Sequence, residues 1–117
     1  MTEAEGGAQF IVANGNLYHL FEEGFAQQGA RVAIRPADGQ STMTYAEMSA
    51  AVSRYANALG VLGVEPGDRV TVQVEKSVSG VLLYLAVMKA GAIYQPLNTA
   101  YTEAEVDYFV GDAEPKL

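Results

Sequence analysis

Between Arg69 and Asn98 the sequence passes from strand signals to helix signals and back within about thirty residues, the size of one right-handed crossover unit. Arg69 to Val74 is rich in β-branched residues and follows the turn-forming Pro66-Gly67-Asp68, so it reads as a strand. Ser77 suits the cap of the next helix, which ends at Lys89-Ala90-Gly91 with a cation in the last turn and a glycine stop. Ala92 to Gln95 reads as a second, parallel strand closed by Pro96. From Val78 to Ala90 only Ser79, Gly80 and Lys89 interrupt the apolar pattern. A helix without a polar face is expected to be buried on more than one side, and this one is too short to span a bilayer. The fold class that follows is α/β.

The remaining elements carry their own local signals. Met1 to Gly15 lacks periodicity and reads as a flexible leader, with a short strand at Phe10-Ile11-Val12 as the alternative. Asn16 is the expected cap of a helix with Leu17, Leu20, Phe21 and Phe25 on one face and Gly29 as its stop. Arg31 to Pro36 and Ser41 to Thr44 flank Asp38-Gly39 and predict a β-hairpin. Thr44-Tyr45-Ala46-Glu47 fits a capping box. The helix behind it has a stripe of Met48, Val52, Tyr55, Leu59 and Leu62, and Gly63 is a left-handed cap that lets Val64 fold back on Leu59. Thr102 to Glu105 is a second capping box, whose helix has Glu103, Glu105 and Asp107 at its positive end. Val106, Phe109 and Val110 form its apolar stripe, and Gly111 lies near its end. A third parallel strand is expected to begin at Leu117, so residues 16–117 read as an incomplete subdomain cut before that strand.

Half of the 117 residues are apolar, enough for a core. Seven basic residues against fourteen acidic ones leave a net charge of −7. The cations are scattered, so nucleic-acid binding by phosphate neutralisation and attachment to anionic membranes are not expected. Without cysteine there is neither disulfide nor thiolate metal site. No secretory signal is visible, and the chain reads as cytosolic.

Signals for chemistry are sparse. Neither of the common glycine-rich phosphate cradles occurs, since Gly60, Gly63 and Gly67 fit no such spacing. His19, the sole histidine, lies on an amphipathic helix without a partner and reads as a partly exposed helix residue rather than a general base. Glu75-Lys76-Ser77 follows the first strand at a helix start, where open α/β sheets bind ligands and helix amides attract anions. Asn98-Thr99 follows the second strand and could border the same crevice. Lys76, Ser77, Asn98 and Thr99 are therefore the candidate ligand-binding residues, although a capping serine and a turn asparagine account for the same pattern. Tyr84, Tyr94, Tyr101 and Tyr108 read as core and rim aromatics rather than a stacking platform. No catalytic and no metal-binding residue is assigned.

Three blocks resemble the adenylate-forming enzymes. Thr44-Tyr45-Ala46-Glu47-Met48 is similar to their first core motif, and Met88 to Asn98 to their second. Gly63-Val64-Glu65-Pro66-Gly67-Asp68-Arg69-Val70 is similar to the turn and strand between them. Order and spacing match, so the resemblance covers about 16–117. Glu75-Lys76-Ser77, Leu83 to Ala86, Pro96 to Thr102, Asp107-Tyr108-Phe109 and Asp112 to Lys116 further resemble malonyl-CoA synthetases. The resemblance implies a parent ligase that adenylates malonate with ATP and Mg²⁺ and transfers malonyl to coenzyme A. In such a ligase, magnesium and fixed cations stabilise the charge developing at phosphorus. The phosphate loop, the adenine and carboxylate pockets and the catalytic lysine of that family would follow Leu117, so this stretch alone is expected to be inactive and to self-associate. Some relatives carry an arginine for coenzyme A phosphates two residues after the position of Asn98; Ala100 stands there and removes that contact. Other acyl-CoA ligases, an amino-acid-adenylating domain and a free-standing, non-catalytic α/β interaction domain remain alternative readings.

Overall fold

The computed structural model describes residues 16–117. The expected leader, and the possible strand at Phe10 to Val12, lie outside the described residues. The elements run α1 (Tyr18–Gln27), β1 (Val32–Ile34), β2 (Met43–Thr44), α2 (Tyr45–Val61), β3 (Arg69–Val72), α3 (Val78–Lys89), β4 (Ile93–Pro96) and α4 (Glu103–Ala113). The architecture is mixed α/β, with an antiparallel β1–β2 pair and a parallel β3–β4 pair.

The crossover unit forms as expected. Val70 pairs with Tyr94 and Val72 with Pro96. Ser77 Oγ accepts the Gly80 N–H at the start of α3. β3 stops at Val72 rather than Val74. Its partner ends at Pro96, and past Val72 the Gln73 side chain turns to donate to the Asn98 carbonyl. Lys116 N–H donates to Arg69 O and Thr71 N–H donates to Leu117 O, so the backbone at 116–117 runs along the other edge of β3. These two bonds stand where the third strand was expected, without forming a regular strand.

α2 and α3 pack against one another to form the centre of the core. Met48, Ala51, Val52 and Leu59 from α2 are buried with Leu82, Ala86 and Val87 from α3, and Val64, Val70 and Val72 join them. Burying apolar surface of this kind supplies about 25 cal/mol per Å². α3 is covered on more than one side, as its composition predicts, without being enclosed all round. α2 and β4 cover it on two sides, but Val81 and Tyr84 are exposed. The composition shows that a helix has no polar face, whereas the number of neighbours decides how much of it is covered.

Both capping boxes form. Thr44 Oγ1 accepts Glu47 N–H while Thr44 N–H donates to Glu47 Oε1, and Thr102 and Glu105 repeat the arrangement. At the end of α2, Val64 N–H donates to Leu59 O and Gly63 N–H to Gly60 O, with Gly63 at φ +94°. This is the paired closure that a left-handed residue after a helix permits. Leu62, expected on the buried stripe, is exposed because it sits at the C-cap where the chain turns away. α4 ends at Ala113, shortly after Gly111, and Glu114 takes a left-handed position behind it. Of its residues Ala113 is buried, while Val110 is exposed and Val106 and Phe109 are half-buried. The hairpin strands are shorter than 31–36 and 41–44, and an irregularity falls between Val32 and Ile34.

α1 is turned relative to the expected face. Leu17 and Phe21 are exposed, and Tyr18 is buried with 1% of its surface accessible. Tyr18 lies edge-on to Phe25, which stacks on Tyr45. The N-cap position falls on Leu17 rather than the expected Asn16. Asn16 precedes it, its Oδ1 accepting Tyr18 N–H and its Nδ2 donating to Lys89 O at the end of α3. α1 ends at Gln27, before Gly29.

Candidate functional site

Lys76 and Ser77 lie where β3 gives way to α3, and the tertiary structure brings the hairpin turn over them. An open cleft of about 580 Å³ is lined by Ile34, Pro36, Asp38 and Gln40 from the hairpin and by Lys76 to Ser79 and Val81 from the start of α3. The hairpin holds its turn locally, with Asp38 Oδ1 accepting Gln40 N–H. Pairing of Ile34 with Met43 sets the reach of this turn. The involvement of the hairpin turn escaped the sequence reading, because nothing local signals that residues 36–40 approach residues 76–79.

Within the cleft, the Ser77 hydroxyl is committed to Gly80 N–H, the capping role. Asp38 is likewise engaged in its own turn. Lys76 is exposed and is the cation among the lining residues. The floor is apolar, with Ile34 and Val78 half-buried and Val81 exposed.

Asn98 and Thr99 do not line this cleft. Asn98 Oδ1 accepts Ala100 N–H and its carbonyl accepts Tyr101 N–H, so the residue builds a turn. The Gln73 side chain ties that turn to the end of β3. The two candidate pairs thus follow adjacent strands but belong to separate local structures.

His19 is exposed, with Nδ1 3.7 Å from Glu22 Oε1. Glu22 pairs closely with Lys89 Nζ, which also lies over the Tyr18 ring at 5.4 Å from its centroid. This cluster joins α1 to α3. Burial pushes the Tyr18 phenol above its usual range, with the Glu22 carboxylate adding to the effect and Ser49 opposing it. Among the described residues no group meets hydrogen-bond geometry with the buried Tyr18 Oη. Burial, and then Tyr84, also raise the Tyr94 phenol. Tyr84 and Tyr94 meet edge to face at 5.0 Å, and Tyr101 stacks on Phe109 at 5.1 Å. These are rim and packing contacts.

Among the described residues no three His, Asp or Glu side chains stand close enough to hold a metal ion. A single lysine beside an already capped helix start does not fit a magnesium triphosphate, which needs several amides and cations converging on its oxygens. No step of nucleotide chemistry is therefore derived from the cleft. No described helix is long and apolar enough to cross a membrane.

The description "AMP-binding enzyme" matches residues 21–117. ATP-bound MatB of Rhodopseudomonas palustris is similar at 46% identity and a TM-score of 0.80, over 86% of this chain and 20% of the MatB chain. A fatty acyl CoA synthetase of Mycobacterium tuberculosis is similar at 30% identity and a TM-score of 0.77, over 84% of this chain and 20% of that one. The probable nonribosomal peptide synthetase CymA of Salinispora arenicola (strain CNS-205) is 40% identical over 103 residues, which is 88% of this chain and 1% of CymA. The chain thus spans about a fifth or less of the length of these proteins.

Proposed function

The chain belongs to the AMP-binding enzyme family, and from that premise we propose that residues 16–117 are the opening part of the large domain of a malonate–CoA ligase. The proposed parent enzyme attaches malonate to the α-phosphate of ATP with release of pyrophosphate, then passes the malonyl group to coenzyme A with release of AMP. ATP, Mg²⁺ and coenzyme A are its proposed co-reactants. The part played by the described residues is structural: β3, α3 and β4 form a parallel crossover whose strand ends carry the loops at 73–77 and 97–101.

The observation that carries the reading is the 46% identity to MatB at a TM-score of 0.80, against 30% to the fatty acyl CoA synthetase. It agrees with the malonyl-CoA-synthetase-like segments at 75–77, 96–102 and 112–116. CymA, at 40% identity, favours a second reading in which the parent adenylates an amino acid. Acid-binding residues differ between these readings, and none of them is identified within this chain.

The test is pyrophosphate release by the parent enzyme across malonate, short mono- and dicarboxylic acids, fatty acids and amino acids. Malonate is expected to give the highest kcat/KM. Equal or better turnover with a fatty acid overturns the malonate assignment, and turnover confined to an amino acid establishes the second reading.

A further inference from the structure

We draw no further inference here: the strongest candidate, the exposed apolar strip of Val74, Val81 and Tyr84 along the outer side of α3, is an unpartnered face, and nothing in the structure shows what covers it.

Discussion

The backbone N–H of Val64 donates to the carbonyl oxygen of Leu59 at 3.0 Å, and both side chains are buried against the core. The bond closes only because Gly63 between them holds φ +94°. Gly63→Val forces a β-branched residue into the left-handed region, a strain of about 1–2 kcal/mol or more. A Cβ there would meet Lys116 at 3.4 Å, which is ordinary contact, so the backbone carries the cost. In a domain of this size the Tm is expected to fall by about 5 °C or more in a thermal melt. An unchanged Tm would show that α2 does not need this closure.

Tyr18 combines near-complete burial with a hydroxyl that, among the described residues, has Ser49 nearby but no partner in good hydrogen-bond geometry. Tyr18→Phe removes a desolvated polar group without changing the shape of the site, and is expected to leave stability unchanged or raise it by up to about 1 kcal/mol. Tyr18→Ala instead opens a cavity and costs about 3–5 kcal/mol. Denaturant titration separates the two variants. A loss above 1 kcal/mol in Tyr18→Phe would mean the hydroxyl is paired after all.

The raised Tyr18 phenol also makes a pH prediction. Folding favours the protonated form, so its contribution is complete below the ordinary phenol range and is lost as pH rises through the folded-state value. The wild-type chain should lose stability on the alkaline side, and Tyr18→Phe should flatten that slope. Tyr94 contributes in the same direction and leaves a residual slope in the variant. Parallel pH profiles for the two proteins would contradict the assignment to Tyr18.

The two capping boxes are chemically alike but sit in different surroundings. Thr44 starts α2, which supplies much of the core, whereas Thr102 starts α4, whose contacts with the other elements are sparse. Thr→Ala at an N-cap costs about 0.5–2 kcal/mol of helix stability. Thr44→Ala is expected to lower global stability by that amount. Thr102→Ala is expected to speed amide exchange within α4 while leaving exchange in α2 and α3 nearly unchanged. Equal effects on both regions would show that α4 folds as one unit with the core.

We propose that the 117-residue chain on its own self-associates and binds an apolar-surface dye, despite its net charge of −7. Val74, Val81 and Tyr84 are 49%, 47% and 44% exposed, and Ile93 on β4 is 48% exposed. Exposed apolar patches and an open strand edge both favour association. Light scattering coupled to size exclusion, on this chain and on the parent enzyme, provides the comparison. A monodisperse monomer of the short chain that melts cooperatively would refute the proposal.

Much of the backbone was legible in the sequence because its signals act within a few residues. Thr44 and Glu47 find each other across one helical turn, Gly63 tolerates a conformation that other residues resist, and Ser77 reaches the amide of Gly80. The parallel pairing of β3 with β4 follows from the length of the segment joining them and the handedness of such crossovers. Tertiary structure alone decided which face of α1 turns inward, since Leu17, Phe21 and Tyr18 are all apolar enough to compete. Lys89 over the Tyr18 ring and Phe25 at its edge stand against the tyrosine. It also ended β3 at Val72, where its partner strand ran out at Pro96, and it separated Asn98 from Lys76. The cleft beside Lys76 exists because the hairpin turn comes to lie over α3, a contact between segments some forty residues apart in the chain. Contacts at that separation depend on how whole elements fill one core, and no local pattern of residues encodes them.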